Sequence, residues 1–334
     1  MTPELSIIVV SFNTREMTRA CIDSIARETT DVSYELIVVD NASQDGSREA
    51  LAGHPAIHRF IPLDDNIGFA QANNLAAKGA AGELVLLLNP DTVVLDHAID
   101  KLVAFARRRP EAGIWGGRTL FADRSLNPTS VYARMTPWRL LCRATGLTAI
   151  FPRSPRFNGE TYGAWRRDSE RQVDVVTGCF FLIEKQLWTR LGGFNPTYFM
   201  YGEETDLCLR SRAFGARPLM TPDAEIIHYG GASEATRENK MVKLLAAKAT
   251  LINHHFTART RKLGLGLHAL WPLTRWLALT LVATATGSRS AREKADVWGN
   301  IWRRRREWQN GYASATAATP DPVPHFDMQQ QASR

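Results

Sequence analysis

The chain has 334 residues, of which 44% are hydrophobic and 22% are charged, values typical of a globular protein and unlike a disordered one. We therefore expect one large domain with appended segments. The four cysteines are far apart and form no CxxC pair, which excludes an obvious zinc site or disulfide framework and suits a reducing, cytoplasmic setting.

The formal net charge of +7 is concentrated near the C-terminus. The segment from Arg259 to Trp308 carries eleven basic and three acidic residues, a balance of +8, whereas the other 30 basic and 31 acidic residues leave −1. A nucleic-acid enzyme is expected to spread positive charge over its active domain, so we predict no nucleic-acid partner and a local anionic one instead. The N-terminal apolar run lacks the basic flank and cleavage site of a signal peptide, so we expect no export.

Short runs rich in β-branched residues and leucine predict four buried strands in the first part of the chain. They are Leu5–Ser11, Tyr34–Asp40, Ile57–Pro62 and Glu83–Asn89. Between and after them lie helical patterns: Met17, Cys21 and Ile25 at four-residue spacing, then Ala70–Ala81, then Ile99–Arg108. Strands and helices in alternation predict βαβ units and a parallel sheet, in which ligands bind beyond the C-terminal strand ends.

Polar side chains follow each predicted strand at the edge where ligands bind. The four clusters are SFNT from Ser11, DNASQDGS from Asp40, DDNIGFAQANN from Asp64, and NPD from Asn89. Each residue could singly be a helix cap or turn residue, and for Thr14, Ser43 and Asp45 this is the better explanation. Four clusters on one edge nevertheless favour a binding site.

Two common phosphate-binding loops are absent from the sequence. No GxGxxG follows the first strand, and GxxxxGK[ST] occurs nowhere. A nucleotide would therefore have to be held another way. Carboxylates with a divalent cation are the evident alternative, because such a cation bridges aspartate and diphosphate oxygens.

The segment Gly192–Arg212 places three carboxylates after a glycine- and aromatic-rich turn and before an apolar pattern. This order predicts a loop leading into a helix whose first turn holds Glu203, Glu204 and Asp206. Acids there are stabilised by the helix N-terminus, and one of them could serve as a general base. From this segment alone, solvated first-turn acids explain the pattern equally well.

Seven motifs together resemble the family 2 glycosyltransferases with a GT-A fold, and among them rhamnosyltransferase-like bacterial enzymes of cell-surface polysaccharide assembly. Spread over about residues 5–235, they are SIIVVSFN, ELIVVDNASQDGS, DDNIGFAQANN, LVLLLNPD, VTGCFFLIEK, GGFNPTYFMYGEETDLCLR and IIHYGGAS. The resemblance implies an α/β fold with a Rossmann-like, mostly parallel sheet flanked by helices. It also implies inverting sugar transfer from a nucleotide-diphosphate donor, with dTDP-rhamnose favoured over UDP- or GDP-linked sugars, to a glycan hydroxyl on a lipid-linked acceptor.

The resemblance assigns donor and metal roles to the strand-end residues. Asp40 matches the acid that contacts the donor base or ribose, and Asp91 matches the last acid of the DxD-type metal motif. Asn89 stands where the family has its first Asp. His228 matches a position that reaches the same Mg²⁺ or Mn²⁺, and the following Gly230 and Gly231 would let backbone approach a diphosphate. The donor-nucleotide set also includes Ser11, Asn13, Asn41, Asp65, Asn66, Gly68, Asn73 and Asn89.

The family's ED pair, whose second acid is the catalytic base, aligns with Glu203 and Glu204. The resemblance therefore predicts Glu204 as the base, with Glu203 and Asp206 as alternatives or positioning groups. Glu replaces the usual Asp, which moves the carboxylate by about 1.5 Å. The predicted acceptor and sugar surface comprises Trp165, Gly178, Phe199 and Tyr201, although aromatic side chains are more often simply packed.

The C-terminal part is predicted to be helical and to associate with a membrane. Ala235–Phe256 has an apolar stripe that would pack on the catalytic domain, while the hydrophobic 263–286 is interrupted by His268, Pro272 and Arg275. These interruptions favour a helix lying on the membrane over one spanning it. Tryptophans interleaved with arginines over 271–308 suit an anionic surface, although a solvated helical face with docked tryptophans is the alternative.

These patterns divide the chain into a catalytic domain (1–235), a packing helix (236–262), a membrane-associating segment (263–312) and a disordered tail (313–334). We expect peripheral attachment to the inner face of the cell membrane. Two other functions remain open. A sugar-nucleotide nucleotidyltransferase should have a Gly-rich basic first loop, which SFNTRE is not. A catalytically inactive sugar-binding protein is suggested by Asn89 and Glu204.

Overall fold

A computed structural model describes residues 2–230 and 236–312 of the chain. Its strands are β1 Leu5–Ser11, β2 Tyr34–Asn41, β3 Arg59–Leu63, β4 Leu84–Leu88, β5 Thr92–Val94, β6 Ile114–Leu120, β7 Leu126–Asn127, β8 Val131–Tyr132, β9 Arg171–Gln172, β10 Val175–Val176, β11 Phe180–Glu184 and β12 Leu219–His228. Its α-helices are α1 Arg15–Glu28, α2 Ser47–Ala52, α3 Phe69–Lys78, α4 Ala98–Arg108, α5 Pro137–Ala144, α6 Leu147–Ile150, α7 Lys185–Leu191, α8 Glu203–Ser211, α9 Arg237–His255, α10 Ala258–Thr286 and α11 Arg289–Arg303. The predicted boundary at 235 and the predicted disordered tail lie outside the described residues.

One large sheet organises the first two-thirds of the chain, with its main strands in the order β3-β2-β1-β4-β11-β6-β12-β5. Strands β3, β2, β1 and β4 run parallel, as do β6 and β12, whereas β11 is antiparallel to both neighbours. All seven residues of β1 are buried, as expected for a strand covered on both faces. The predicted α/β fold with a mostly parallel sheet is confirmed.

Alternating side chains of β1 enter two different hydrophobic layers, because neighbouring residues of a strand point to opposite faces. Leu5, Ile7 and Val9 pack with residues of α1 and α4. Ile8 and Val10 pack with residues of α3, α7 and α8. The sheet is therefore held between two helical layers, and its rim carries the polar residues that follow the strands.

The C-terminal helices form a compact unit joined to the rest of the protein. Helix α10 packs against α11, α5 and α9, and the hydroxyl of Thr274 donates a hydrogen bond to the Ala144 carbonyl at 2.7 Å. Pro272 lies inside α10 and is buried. Within the described ranges, no helix combines the length and apolarity needed to cross a membrane.

Of the tryptophans in this region, Trp308 is buried and Trp271, Trp276, Trp298 and Trp302 are half-buried, so their place at a membrane surface stays a prediction. Trp308 is 0% exposed, and Trp271 meets Trp298 edge to face with ring centroids 5.3 Å apart. Together with Val242 and Leu245 of α9, they build a small core between α9, α10 and α11. Sequence spacing showed the aromatic content but not that three helices bury it against each other.

Candidate active site

A pocket of about 610 Å³ opens at the edge where the parallel strands end, within the size range of small-molecule sites. Eleven of the residues predicted for the site line it: Asn41, Asn66, Gly68, Asn89, Asp91, Gly178, Phe199, Tyr201, Glu203, Glu204 and His228. Chain segments separated by more than 180 residues thus meet around one cavity.

Strand pairing brings Asp91 and His228 together. His228 at the end of β12 lies opposite Thr92 of β5, the residue after Asp91. The Asp91 Oδ1 atom is 3.4 Å from His228 Nε2, and the Asn89 amide nitrogen is also 3.4 Å from that ring atom. Burial would raise the pKa of Asp91, but the hydrogen bond and charge of His228 hold this pKa below its usual value. Burial would likewise lower the pKa of His228, but nearby Cys179 and Asp91 raise it to about 10.

The donor atoms at this position fit a divalent cation that shares its coordination with a substrate. Asp91 supplies a carboxylate, and His228 supplies an imidazole that can bind a cation once its proton is released; its Nδ1 is buried without a hydrogen-bond partner in the described structure. Among residues 2–230 and 236–312, no cluster of three or more His, Cys, Asp or Glu could hold a metal. Mg²⁺ is commonly bound by one or two carboxylates, waters and substrate phosphates, so two protein groups are sufficient.

A left-handed turn delivers the glutamates at the start of α8. Tyr201 has φ +70° and Gly202 has φ +88°. A Cβ atom at Gly202 would lie 3.2 Å from the Tyr198 ring and 3.3 Å from the Ala247 Cβ, so both the backbone angle and the close packing favour glycine here. The predicted loop-to-helix transition is confirmed, and the turn points Glu203 and Glu204 into the pocket.

The two glutamates are poorly compensated carboxyl groups. Glu203 is 4% exposed, and its Oε2 atom is buried with no hydrogen-bond partner among the described residues. Burial, reinforced by the charge of Glu204, raises the pKa of Glu203 well above its usual value. Burial also raises the pKa of Glu204, although backbone hydrogen bonds and the charge of Lys248 oppose it. Such an environment suits a carboxylate that accepts a proton near neutral pH.

Asp206, the third acid of the turn, lies outside the pocket lining in a buried ion-pair network. It is 2% exposed and accepts hydrogen bonds from Arg210 Nε at 2.7 Å and His255 Nε2 at 2.8 Å. Burial would raise the pKa of Asp206, but these two partners keep it low. Asp206 therefore ties α8 to α9 beneath the glutamates.

The donor-side loop before α3 is shaped by asparagine side chains. The Asn41 amide donates to Asn66 Oδ1 at 2.9 Å, and Asn66 Oδ1 also accepts from the Gly68 N–H at 3.0 Å. Gly68 has φ +81°, and a Cβ there would lie 2.5 Å from the Phe199 carbonyl oxygen. This close approach joins the donor-side loop to the aromatic loop that precedes the glutamates.

Several predicted donor residues lie behind or beside the pocket lining. Asp40 is fully buried, with Oδ2 accepting from the Ser43 N–H at 3.3 Å and Oδ1 lacking a partner among the described residues. Ser11 is buried and bonded to Thr18, while Asn73 is buried and donates to the Phe69 carbonyl. These buried side chains support the rim from within.

Three further predicted residues also lie outside the pocket lining. Asn13 and Asp65 are exposed, and Asn13 accepts a hydrogen bond from the Gln44 N–H at 2.7 Å. The Trp165 ring packs edge to face against Tyr162 and beneath the guanidinium of Arg171. Of the predicted aromatic surface, only Phe199 and Tyr201 therefore border the cavity.

Sequence reasoning missed part of the pocket wall, including residues from beyond the motifs. Phe12, Tyr132, Lys240, Lys243 and Leu244 line the pocket. Lys240 and Leu244 are four residues apart and so share one face of α9, a pattern visible in sequence. That pattern does not indicate which segment of the chain the face will pack against.

Comparison with known proteins identifies the family of this chain. Residues 6–188, more than half of the chain, match the family described as Glycosyl transferase family 2. The O-antigen biosynthesis protein RfbC of Myxococcus xanthus is 31% identical over 241 residues, which cover 70% of this chain but 18% of RfbC. N-acetylglucosaminyl-diphospho-decaprenol L-rhamnosyltransferase of Mycobacterium tuberculosis is 29% identical over 244 residues, 69% of this chain and 77% of that protein.

A solved structure confirms the fold. The mannosyltransferase PcManGT from Pyrobaculum calidifontis, in complex with GDP-Man and Mn²⁺, superposes with a TM-score of 0.56 at 16% identity, over 92% of this chain and 88% of that one. The two proteins share the GT-A arrangement of a central sheet between helical layers. By the family match over residues 6–188, this chain belongs to glycosyl transferase family 2.

Proposed function

We propose that the protein is an inverting glycosyltransferase that moves a sugar, with rhamnose from dTDP-rhamnose as the favoured donor, to a hydroxyl of a lipid-linked glycan. One observation carries the proposal. Two glutamates with raised pKa values line the same pocket as the Asp91–His228 pair. The names of the O-antigen and rhamnosyltransferase relatives support the donor and acceptor classes, and family membership disfavours the nucleotidyltransferase alternative.

Glu204 is the proposed catalytic base. It accepts the proton of the acceptor hydroxyl as that oxygen attacks the anomeric carbon, and the nucleoside diphosphate leaves from the opposite side. Inversion follows from this single displacement, so no covalent enzyme intermediate is needed. Glu203, the more deeply buried of the two, keeps its proton in the free enzyme because two adjacent buried carboxylates do not both ionise readily.

Asp91 and His228 are the proposed holders of Mg²⁺ or Mn²⁺. The cation, when bound, neutralises charge that develops on the departing diphosphate. The backbone carbonyl of Asp91 accepts from the Tyr229 N–H at 3.0 Å, which fixes the end of β12 beside the carboxylate. Asp40, whose buried Oδ1 has no hydrogen-bond partner among the described residues, is suited to accept a hydrogen bond from the donor base or ribose.

We also propose that the protein attaches to an anionic membrane on its cytoplasmic face. An exposed apolar row on α10 supports this: Leu263, Leu270 and Leu277 recur every seven residues, followed by Leu281, which is 71% exposed. Exposed basic residues occur throughout the same region. An apolar face combined with cations is typical of helices that lie in the interface of anionic bilayers. The row of leucines is proposed as an inserting surface beside the half-buried tryptophans.

Donor screening followed by a transfer assay tests the proposal. Thermal shift with dTDP-rhamnose and with UDP- and GDP-linked sugars should identify the donor, because a bound ligand raises stability by RT ln(1 + [L]/Kd). Transfer to a polyprenyl-diphosphate-linked glycan, with Mg²⁺ or Mn²⁺ and with chelator, then tests activity and metal dependence. Donor binding without transfer or donor hydrolysis would instead identify an inactive sugar-binding protein.

A further inference from the structure

Resting on the proposed function, we propose that Lys240 and Lys243 of α9 bind the phosphate-bearing part of the acceptor. The enzyme would then select acceptors that carry a diphosphate next to the reacting sugar. Both lysines line the pocket together with the glutamates and Leu244. They lie beyond residues 6–188, so the family match does not assign them a role.

Lys240 has no counter-charge from the described part of the protein. Its side chain is half-buried, and it forms no ion pair with any acid in the described ranges 2–230 and 236–312. Because no acid of the described residues offsets its charge, Lys240 leaves a positive potential at the pocket wall. A lysine in this position on a pocket wall is therefore suited to an anionic ligand.

The lysines lie near the N-terminus of their helix. Helix α9 starts after Thr236, whose side chain caps it by accepting from the Asn239 N–H. Its first two turns contain Arg237, Lys240 and Lys243, although cations near a helix N-terminus oppose the helix dipole. The one acid there, Glu238, accepts a hydrogen bond from Asn300 of α11 at 3.1 Å. An anion bound at Lys240 would offset part of this unfavourable charge.

The lysines lie on the side of the pocket that is assigned to the acceptor. The Tyr312 hydroxyl donates to the carbonyls of Met200 and Lys243, the latter at 3.3 Å. The second turn of α9 is thereby fastened to the loop that leads into Glu203 and Glu204. Since Glu204 is the proposed base for the acceptor hydroxyl, the acceptor enters beside this loop, whereas the donor diphosphate is assigned to Asp91 and His228.

The chemistry of the acceptor matches this wall. In a glycosyl diphosphate lipid, the diphosphate is attached to the sugar that bears the reacting hydroxyl, so it must lie about one sugar length from the base. Lysine ammonium groups bind phosphate as mobile point charges. Leu244, on the same wall, offers an apolar surface to the start of the lipid chain.

Equilibrium binding of two matched probes tests the inference with the full-length protein. One probe is N-acetylglucosaminyl diphosphate carrying a short polyprenyl chain, and the other joins the same sugar and chain without the diphosphate. The donor site is kept filled with nucleoside diphosphate and Mn²⁺. Wild type should bind the diphosphate probe more tightly. Lys240→Ala/Lys243→Ala should weaken that binding by about ten- to one-hundredfold and leave the neutral probe unaffected.

Matched variants separate charge from structure. Lys240→Arg/Lys243→Arg keeps both charges and should retain most of the affinity. Lys294→Ala removes an exposed lysine of α11 outside the pocket lining and should change neither affinity. Equal weakening of both probes, or no preference in the wild type, would overturn the inference.

Two further outcomes assign the lysines elsewhere and overturn the inference. A weaker affinity for the nucleotide sugar, with unchanged probe binding, would place them at the donor diphosphate. Reduced binding to phosphatidylglycerol vesicles, with unchanged probe binding, would place them at lipid headgroups. The proposed function is judged separately: if the probe binds through the lysines but no donor sugar is transferred to any glycan acceptor, the proposed reaction fails and the binding site stands.

Discussion

The pocket joins two regions that use charge in opposite ways. The sheet edge and α8 supply the acids Asp91, Glu203 and Glu204, while α9 supplies the cations Lys240 and Lys243. Asp91 lies within the family match over residues 6–188, whereas the glutamates and the lysines lie beyond it. Helix α9 thus forms part of the pocket wall and places cations there.

A buried ion-pair cluster joins the two regions beneath the pocket. Lys248 of α9 and Arg143 of α5 each approach a carboxylate oxygen of Glu160 at 2.6 Å. The Arg143 guanidinium also lies over the Trp271 ring of α10, 5.0 Å from its centroid. The cluster thus connects the catalytic domain to α9 and α10, and Lys248 contributes positive potential at Glu204.

The largest expected effect comes from the acidic region. Glu204→Gln should lower kcat by about a thousandfold or more, because the amide cannot accept the acceptor proton, while donor affinity measured by titration calorimetry stays unchanged. Full activity in this variant would show that another group is the base.

The matched control is Glu203→Gln, which removes the neighbouring acid. The rate should fall as pH drops through the raised pKa of Glu204, since only its ionised form accepts a proton. Because Glu203 keeps its proton while Glu204 titrates, Glu203→Gln should leave the acid limb of the pH–rate profile in place. An acid limb that moves to lower pH would show that Glu203 ionises first and would reverse the protonation states assigned to the two residues.

The second-largest expected effect concerns the ion-pair cluster that connects the two regions. Lys248→Met should destabilise the protein by about 3–5 kcal/mol in urea unfolding, because it leaves part of a buried ion-pair cluster uncompensated. Adding Glu160→Gln should recover part of this loss. If the double variant loses more free energy of unfolding than the two single variants together, the cluster is not the connecting element.

The same cluster predicts a pH dependence of stability. Burial would raise the pKa of Glu160, but Arg143 and Lys248 lower it from 4.5 to about 2. A depressed folded-state pKa stabilises the protein above the unfolded value, by about 3 kcal/mol, and this contribution is lost as pH falls from about 4.5 to 2. Urea unfolding over this range should show the loss, and Glu160→Gln should reduce it.

The third effect tests the metal assignment at the sheet edge. Asp91→Ala should weaken cation-dependent donor binding by about ten- to one-hundredfold, since one of the two proposed protein ligands is removed. Titration calorimetry should show that the wild type binds the donor more weakly with chelator than with Mn²⁺. The variant with Mn²⁺ should bind the donor as weakly as the wild type does with chelator. A variant that still responds to chelation like wild type would contradict the assignment.

The smallest effect concerns the outer face of the helical region. Leu277→Ser/Leu281→Ser should lower binding to phosphatidylglycerol vesicles by about tenfold or more, because two exposed side chains no longer enter the bilayer. Trp308→Phe is the matched control: this buried residue should affect unfolding and leave vesicle binding unchanged. Unchanged vesicle binding in the leucine variant, with weaker binding in Trp308→Phe, would instead assign membrane insertion to the tryptophans.

The sequence by itself determined the parallel half of the sheet and the start of α8. Strand β1 was predicted at its observed bounds, because a continuous apolar run is a local signal of a strand covered on both faces. The turn before Glu203 was likewise readable from glycine, proline and acids at fixed spacing. Family motifs then proposed roles for Asp91, His228 and Glu204, residues that line one pocket.

Only the tertiary structure decided which groups share an environment. Asp206 pairs with His255, which lies 49 residues further along the chain. It is therefore an ion-paired acid, whereas the neighbouring glutamates form no ion pair with the described residues. Lys240 lines the pocket because α9 packs against the loop before α8, and Trp308 is buried because three helices close over it. Periodicity shows that a helix has an apolar or basic face, whereas burial and pKa depend on the distant segment that packs against that face.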